Sequence, residues 1–266
     1  MTAFVPPGHV LLTGAGGAIG AALARAMRAA WPDVALALVD VDRAALDTLA
    51  RELAAEHPRA AASIHVADLR DLAALPALVT SIEQAGPLDG LVNCAGVMRV
   101  QNVATWSWDD ASSLLAVDLL APLRLQDLVV RGMTIRGRGA IVNVASMAGR
   151  VPLRGCAYYG AAKAGLAMAS EIARADLAAH GIRVVTVYPG PVRSALEQGA
   201  RDAYGGGGLL GRIVPTGDPA ELATKVVHAL DHDEPRVIYP AVYGVGWTAP
   251  NLSRWIALSY GPPPLA

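Results

Sequence analysis

Three residues near the middle of the chain have the types and spacing needed for proton transfer. Tyr159 and Lys163 lie four residues apart, and Ser146 precedes the tyrosine by thirteen. Residues four apart on a helix share a face, so we expect the Lys163 ammonium beside the Tyr159 phenol. A cation there favours the phenolate and lowers the pKa of the phenol from about 10 toward working pH. Such a phenol can act as a general acid or base.

Ser146 directly follows the apolar run 140–145, which has the composition of a strand. From the end of a strand, its hydroxyl can hold a substrate oxygen beside the phenol. A tyrosine and a lysine at this spacing also occur on ordinary, half-exposed helix faces. The rest of the chain must therefore decide between an active site and a plain surface.

Composition narrows the possible classes of protein. The length of 266 residues suits one large α/β domain, and a hydrophobic content of 53% can supply its core. A net charge of −1 argues against a nucleic-acid surface and gives no polybasic membrane signal. The two cysteines, Cys94 and Cys156, make no disulfide framework and lack metal-ligand spacing. We expect no metal site.

The sequence contains no recognisable targeting or membrane-spanning segment. Residues 1–8 have no charged residue and no long apolar core, so no signal peptide is predicted. No apolar run reaches the length of a membrane span. The expected location is the cytoplasm.

Short β-type runs alternate with longer helical stretches along the chain. The predicted strands are 9–12, 34–39, 63–66, 90–93, 140–145, 183–188 and 236–239. The helices between them are predicted to start near Ala18, Arg43, Leu72, Trp108, Tyr158 and Pro219. This rhythm predicts a Rossmann-type α/β fold, a doubly wound parallel sheet in three α/β/α layers. Ligands of such sheets bind at the carboxyl ends of the strands.

We expect one domain over residues 1–266. Residues 9–194 are predicted to form its cofactor-binding and catalytic core. Residues 195–215 follow as a substrate lid or a plain surface loop, with four consecutive glycines at 205–208. Residues 216–266 would supply a further helix, the last strand and a tail.

A glycine-rich turn follows the first predicted strand. Residues 13–20 read Thr-Gly-Ala-Gly-Gly-Ala-Ile-Gly and precede a helical pattern. Glycines there let the backbone approach a pyrophosphate, and the helix N-terminus supplies N–H groups and a positive dipole end. This context predicts a dinucleotide-binding site.

Asp40 ends the second strand, where an acidic residue bonds the adenosine ribose hydroxyls of a dinucleotide. Its charge would repel a 2′-phosphate, so NAD is predicted over NADP. A strand-terminal turn residue or helix cap is the alternative, which fits Asp42 better. Arg43 is the local cation that favours NADP.

Two more strand ends border the expected cofactor cleft. Asp68 follows the third strand and either meets the adenine amino group or caps the next helix. Small residues at 93–96, Asn-Cys-Ala-Gly, end the fourth strand and allow a cofactor to approach closely, although a turn alone would also favour them.

In this order and spacing, the motifs between residues 9 and 194 resemble the short-chain dehydrogenase/reductase family. The resemblance includes the stretch 189–194, Pro-Gly-Pro-Val-Arg-Ser. It implies that Tyr159 is the general acid/base and that Ser146 orients and polarises the substrate oxygen. It also implies that Lys163 bonds the nicotinamide ribose and depresses the pKa of Tyr159. The Val192 backbone would hold the carboxamide, with Ser194 near the nicotinamide or phosphates.

The resemblance also implies a set of cofactor contacts, with Tyr159 and Lys163 among them. The others are Gly14, Gly16, Gly17, Ala18, Ile19, Gly20, Asp40, Asp68, Leu69, Asn93, Ala95, Gly96, Pro189, Gly190, Val192 and Ser194.

The chain departs from the family pattern at three positions. Ala18 replaces the middle glycine of the turn, and Cys94 replaces the second asparagine of Asn-Asn-Ala-Gly. Asp118 stands where the family has its fourth catalytic residue, an asparagine whose carbonyl holds a relay water. Pro122 has no N–H to donate to the Asp118 carbonyl. We therefore expect that the helix kinks at Pro122, which leaves the Asp118 carbonyl free to bind this water. The alternative is a helix that simply breaks before Pro122. An ionised Asp118 would offset the effect of Lys163 and move activity toward alkaline pH.

The substrate side is less clearly marked. Arg154 and Cys156 lie between Ser146 and Tyr159 and are predicted substrate contacts, as are Ser146 and Tyr159 themselves. The few charges near these motifs favour an apolar alcohol or ketone, against which Arg154 is the main objection. The tail contains Tyr243, Trp247, Trp255 and Tyr260 among apolar residues, and we expect it to roof the pocket, form an oligomer contact or touch a membrane surface.

Together these features predict an NAD-dependent oxidoreductase that transfers hydride between nicotinamide and a secondary alcohol or carbonyl carbon. The alternatives are an NADPH-dependent carbonyl reductase, an epimerase or dehydratase on the same fold, and a dinucleotide sensor without turnover. The family resemblance suggests a homodimer or homotetramer through the helices that hold Asp118 and Tyr159.

Overall fold

A seven-stranded parallel sheet forms the centre of the molecule in the computed structural model. The structure describes residues 5–205 and 215–264. The strands are β1 His9–Thr13, β2 Ala35–Asp40, β3 Ala62–Val66, β4 Gly90–Asn93, β5 Gly139–Val144, β6 Ile182–Pro189 and β7 Arg236–Tyr239. All seven lie within one or two residues of the predicted positions.

The strand order is β3-β2-β1-β4-β5-β6-β7, and every neighbouring pair is parallel. The order reverses between β1 and β4, which opens a crevice at the carboxyl ends of these two strands. The predicted doubly wound Rossmann-type fold is confirmed.

Helices cover both faces of the sheet. They are α1 Ala18–Ala30, α2 Arg43–Glu56, α3 Leu75–Glu83, α4 Trp108–Leu115, α5 Ala121–Arg136, α6 Ala157–Leu177, α7 Ala195–Ala203, α8 Pro219–Asp231, α9 Val245–Thr248 and α10 Pro250–Tyr260. A π-helical turn, Ala116–Leu120, joins α4 to α5 without a break. Helix α3 begins at Leu75 rather than near Leu72, because the Asp71 carboxylate accepts the N–H groups of Ala73 and Ala74 in a turn.

The core lies in two layers, because successive side chains of a strand point to opposite faces. Val10 and Leu12 pack with helices α1, α2 and α8, whereas Leu11 packs with α3 and α5. The most apolar strands are thereby buried on both faces, as a parallel sheet requires.

Two segments differ from the expected loops. Residues 195–203 form helix α7, because Ser194 accepts the Glu197 N–H at its start and Arg201 pairs with Glu197 one turn later. The tail is also helical, in α9 and α10. Nine residues of the predicted lid, 206–214, which include three of the four consecutive glycines, lie outside the described residues.

Candidate active site

Ser146, Tyr159 and Lys163 meet beyond the carboxyl end of β5. The Ser146 hydroxyl accepts the Ala148 N–H at 3.1 Å, which caps a short 3-10 turn, and it donates to the Pro189 carbonyl at 3.5 Å. Tyr159 lies in the first turn of α6 and Lys163 in the next, so both point to the same side. The lysine ammonium lies 5.9 Å from the tyrosine ring centre and donates to the Val144 carbonyl at 3.2 Å.

The predicted lowering of the tyrosine pKa is wrong for this structure. Burial raises the pKa of Tyr159 well above its ordinary value, the Asp118 carboxylate raises it further, and the Ser146 hydroxyl lowers it. The phenol is only 8% exposed, so desolvation of its charged form outweighs the nearby cation. The tyrosine is therefore protonated at neutral pH.

Asp118 forms a buried ion pair with Lys163. Its Oδ1 lies 3.9 Å from the lysine Nζ and accepts the Val97 N–H at 2.8 Å. Its Oδ2 has no hydrogen-bond partner among the described residues. Burial raises the pKa of Asp118 to about 6, although the lysine and the Val97 N–H both oppose this rise. As expected, the Asp118 carboxylate raises the pKa of Tyr159 and so opposes the lowering predicted from Lys163.

Gly96 closes the ion pair from the cleft side. A Cβ at this position would lie 3.1 Å from Asp118 Oδ1 and 3.2 Å from Lys163 Nζ. Any larger residue would therefore press on the pair.

The helix at Asp118 widens rather than breaks. Over Ala116–Leu120 it is π-helical, and the Ala121 N–H bonds the Ala116 carbonyl five residues back. Pro122 follows in the first turn of α5 and can donate no N–H to the Asp118 carbonyl. A π turn beside a proline is a common site of helix distortion. A relay water on the Asp118 carbonyl stays a prediction.

A row of polar side chains underlies the site. The strand register sets Asn93, Asn143 and Thr186 side by side on β4, β5 and β6. Asn93 donates to Asn143 at 2.8 Å, Asn143 donates to Ser170 of α6 at 3.0 Å, and Thr186 donates to Ser170 at 2.7 Å. All four are buried.

This row corrects the expectation for Asn93. Asn93 was predicted to line the cofactor cleft, but it is not part of the cleft lining, and its buried side chain also donates to the Pro122 carbonyl. Sequence reasoning missed Asn143, Ser170 and Thr186. The available signal was a polar residue, Asn143 or Thr186, within each of the apolar stretches 141–144 and 184–187.

A cleft of about 690 Å³ opens at the carboxyl ends of β1, β2 and β4. Twelve of the cofactor contacts predicted from the sequence line this cleft: Gly14, Gly16, Gly17, Ala18, Ile19, Gly20, Asp40, Asp68, Leu69, Ala95, Gly96 and Ser194. Asn93, Tyr159, Lys163, Pro189, Gly190 and Val192 are not part of that lining.

The glycine-rich turn has the shape that a pyrophosphate requires. Gly14 has φ of +68°, and a Cβ there would lie 2.7 Å from the Ala95 backbone. A Cβ on Gly20 would lie 2.0 Å from the Gly14 carbonyl oxygen, so α1 can approach β1 only with glycine here. Ala18 is exposed at the first position of α1, where its methyl leaves the turn intact. The cradle therefore fits a dinucleotide.

The charged residues of the cleft are arranged around Asp40. Its carboxylate accepts the Gly16 N–H at 2.9 Å and the Asp42 N–H at 3.1 Å. Asp42 also caps α2 by accepting the Ala45 N–H, as expected. The Arg43 guanidinium pairs with Asp47 at 3.1 Å, one turn along α2.

Asp68 lies in the cleft beside Arg70. Hydrogen bonds from the Arg70 side chain and backbone hold the pKa of Asp68 below its usual range. The carboxylate therefore faces a guanidinium rather than capping a helix. Arg99, which also lines the cleft, pairs with Asp110 at 2.8 Å.

The segment 189–194 continues from the end of β6. The Gly190 N–H donates to the Tyr239 carbonyl at 2.8 Å, and a Cβ on Gly190 would lie 2.6 Å from the Tyr243 ring. Val192 forms a parallel bridge with Gly217 through its neighbours' hydrogen bonds. Among the described residues, no acceptor meets the Val192 N–H.

A cluster of mainly apolar side chains packs around Tyr159, and we call it the apolar wall. Cys156 is 2% exposed and packs with Tyr159 in a cluster. Five partly buried residues of this cluster are Met98, Val100, Trp106, Tyr158 and Tyr204. The Tyr204 hydroxyl, just beyond α7, donates to the Arg154 carbonyl at 2.5 Å and lies 3.4 Å from the Cys156 thiol.

The Arg154 side chain does not join this wall. It is exposed and donates to the Gly261 carbonyl at 3.5 Å. Its prediction as a substrate contact is not supported by this placement, because its charge remains in solvent.

Over residues 5–205 and 215–264, no group of three or more His, Cys, Asp or Glu side chains could hold a metal ion. Within the same ranges, the helices are too short or too polar to cross a bilayer.

Comparison with known proteins gives consistent matches over most of the chain. Residues 8–205 match the family profile described as short chain dehydrogenase. D-threitol dehydrogenase of Mycolicibacterium smegmatis is 34% identical over 221 residues, which cover 82% of this chain and 83% of that protein.

Solved structures of similar fold include other short-chain dehydrogenases. A short-chain dehydrogenase from Sphingobium yanoikuyae in complex with NADPH is 29% identical, with a TM-score of 0.77 and coverage of 95% of both chains. A gluconate 5-dehydrogenase from Burkholderia cenocepacia in complex with NADP and tartrate is 28% identical, with a TM-score of 0.78, covering 91% of this chain and 95% of that one.

Proposed function

The chain belongs to the short-chain dehydrogenase family, and we propose that it transfers hydride between NAD(H) and a hydrophobic secondary alcohol or ketone. The family acts on CH–OH groups with a nicotinamide dinucleotide. The proposal rests on one observation: Ser146, Tyr159 and Lys163 lie close together beside the glycine-lined cleft.

When bound, the nicotinamide accepts or supplies the hydride. The residues of the chain position the reacting groups and move the proton. In reduction the neutral Tyr159 phenol donates its proton to the carbonyl oxygen, and in oxidation the phenolate removes the hydroxyl proton. Ser146 holds the substrate oxygen, and Lys163 bonds the nicotinamide ribose. The Val192 N–H is a fitting donor for the carboxamide oxygen.

The proposal of NAD rests on Asp40. Its carboxylate lies in the cleft at the end of β2, where a 2′-phosphate would meet its negative charge. Arg43, the cation that argued for NADP, is held by Asp47 on the exposed side of α2. Arg70 and Arg99 line the cleft, but each is already paired with an aspartate.

An NADPH-dependent carbonyl reductase is the second candidate. Two neighbours were solved with NADPH or NADP, and the raised pKa of Tyr159 suits a proton donor at neutral pH. Paired titration of the protein with NADH and NADPH, followed by fluorescence, separates the two. Tighter binding of NADPH would replace the first proposal by the second.

The apolar wall supports a hydrophobic substrate. Met98, Val100 and Trp106 contribute no charge. The Arg154 side chain is exposed, and Arg99, whose guanidinium lies 5.7 Å from the Trp106 ring centre, is paired with Asp110. We propose that α7 and Tyr204 close this pocket as the described part of a lid. Polyol dehydrogenases among the relatives make sugar alcohols the competing substrate class.

We also propose a homodimer or homotetramer through α5 and α6. Large apolar side chains on these helices remain exposed, among them Ile135, Met168 and Ile172. Light scattering would report the mass. The cytoplasm remains the proposed compartment, because Cys94 and Cys156 are unpaired thiols.

The central test is the variant Tyr159→Phe, with Tyr158→Phe as the matched control. Tyr159→Phe removes the proton donor and should cost about 10²- to 10⁴-fold in kcat with NADH binding retained. Tyr158→Phe removes a neighbouring hydroxyl and should keep near-normal turnover. Turnover of Tyr159→Phe close to wild type would contradict the assignment.

A further inference from the structure

The last helix, α10, presents its apolar side chains to solvent. None of its residues is buried, and Leu252, Trp255, Ile256, Leu258 and Tyr260 are between 47% and 63% exposed. Leu252, Trp255 and Ile256 recur at helical spacing and share one face. The helix thus carries an apolar stripe on the side where polar residues normally lie.

The loop between Ser146 and Tyr159 extends this surface. Leu153, which is 41% exposed, lines a hollow of about 230 Å³ together with Arg150 and Arg254. We call the α10 residues above, together with Leu153, the C-terminal patch.

The patch is bordered by cations without acidic partners. Arg154 and Arg254 are exposed, and the Arg154 guanidinium reaches the end of α10 at the Gly261 carbonyl. No aspartate or glutamate occurs in residues 241–266 or 140–170. Within the described residues, neither arginine forms a salt bridge. The surface is therefore apolar and positively charged.

We propose that the C-terminal patch docks on the surface of an anionic lipid bilayer. The apolar side chains of α10 would enter the boundary between headgroups and acyl chains, and Arg154 and Arg254 would meet lipid phosphates. Trp255 and Tyr260, whose rings meet edge to face at 5.5 Å, are residue types that favour this boundary.

Charge favours lipid over a second copy of the chain. A two-fold contact through the patch would set the arginines of both copies near each other, and the patch offers no carboxylate to neutralise them. The helix is also short. Its 11 residues span about 16 Å, and a helix about 10 Å wide then covers roughly 160 Å², well below the roughly 800 Å² that each partner of a stable dimer buries.

The inference does not depend on the proposed enzymatic activity. Leu153 and Arg154 lie on the segment that joins Ser146 to Tyr159, so a bound bilayer would border the candidate active site. Vesicle binding and turnover are nevertheless separate measurements, and either proposal can fail without the other.

The test is co-sedimentation of the full chain with vesicles of phosphatidylcholine alone or mixed equally with phosphatidylglycerol. We expect binding to the anionic vesicles at least about tenfold stronger, and weakened by salt. The variant Arg154→Gln/Arg254→Gln should lose this preference, because each arginine removed should weaken binding to the anionic vesicles about fivefold. The variant Leu252→Asp/Ile256→Asp should lose binding to both vesicle types.

Two variants away from the patch and from the proposed oligomer contact serve as controls. Val103→Asp places a charge on an apolar side chain that is 60% exposed, and Arg59→Gln removes an exposed cation. Both should bind vesicles as the wild type does. NADH binding by each variant establishes that it is folded.

The proposal is overturned if the wild type does not sediment with the anionic vesicles, or if Leu252→Asp/Ile256→Asp sediments equally well. Light scattering provides the alternative outcome. A wild-type oligomer that this variant dissociates, without vesicle binding by the wild type, would assign the patch to a contact between copies.

Discussion

Asp118 Oδ1 lies 3.9 Å from Lys163 Nζ, and both side chains are almost completely shielded from solvent. The carboxylate partly neutralises the lysine and raises the pKa of Tyr159. In this chain the proton-transferring phenol is therefore controlled by a negative charge as well as by a positive one. The consequence is a site biased toward the protonated tyrosine.

The first prediction concerns the pH dependence of alcohol oxidation, which requires the phenolate. Asp118→Asn removes the charge that raises the pKa of Tyr159, so the rise of kcat/KM should move to lower pH. The measurement is kcat/KM from pH 6 to pH 10 for both proteins. Asp127→Asn changes an exposed carboxylate on α5 and should leave the profile in place. A profile unmoved by Asp118→Asn would reject the coupling.

The second prediction concerns stability. Folding raises the pKa of Asp118 from 3.8 to about 6, so the folded state retains this proton between these values. Stability contributed by this group is therefore present at low pH and is lost as the pH rises through about 4 to 6. At about 1.4 kcal/mol per pKa unit, the loss above pH 6 is about 3 kcal/mol.

The variant Asp118→Asn, which mimics the neutral carboxyl, should avoid this loss. Urea unfolding should find it more stable than the wild type at pH 8, with the difference shrinking toward pH 4.5. An equal difference at both values would show that ionisation of Asp118 is not its cause.

The third prediction tests cofactor choice at Asp40. Asp40→Asn keeps an acceptor for the Gly16 N–H but removes the charge that repels a 2′-phosphate. NADPH affinity should rise about tenfold, whereas NADH affinity should fall only a few-fold. Asp42→Asn is the control, since asparagine preserves the cap of α2. Equal changes for both cofactors would mean that Asp40 does not discriminate between them.

The fourth prediction concerns Tyr204. Tyr204→Phe removes the hydroxyl that joins the end of α7 to the Arg154 carbonyl, which should weaken closure of the pocket. One hydrogen bond is worth about 0.5–1.5 kcal/mol, so KM should rise about two- to tenfold with kcat little changed. Steady-state kinetics with a bulky ketone would measure this. A fall in kcat at constant KM would assign Tyr204 to the chemical step instead.

Sequence patterns predicted the strands and the glycine-rich turn well, because both depend on neighbouring residues. Strand β4 has its predicted bounds, and α1 begins at Ala18. The pKa of Tyr159 was predicted in the wrong direction because burial depends on the whole fold. Asn93 was misplaced for the same reason, since its partner Asn143 is fifty residues away.

Helix α7 escaped prediction for a local reason. Its sequence contains Gly199 and precedes a run of glycines, so it has the composition of a loop. The cap from Ser194 and the pair between Arg201 and Glu197 compensate. The exposure of α10 could not be predicted from the sequence either, because a helix with many apolar residues is normally expected to pack in the core.

The polar row beneath the site has a mechanical consequence. Beyond Tyr159 and Lys163, the buried residues of α6 are mostly alanine, at Ala162, Ala167 and Ala173, and such small side chains allow a helix to slide along its axis. Ser170 is held by both Asn143 of β5 and Thr186 of β6, which are neighbouring strands, and hydrogen bonds tolerate far less displacement than apolar contacts. The row therefore acts as an axial stop, which fixes how far Tyr159 and Lys163 project beyond the sheet.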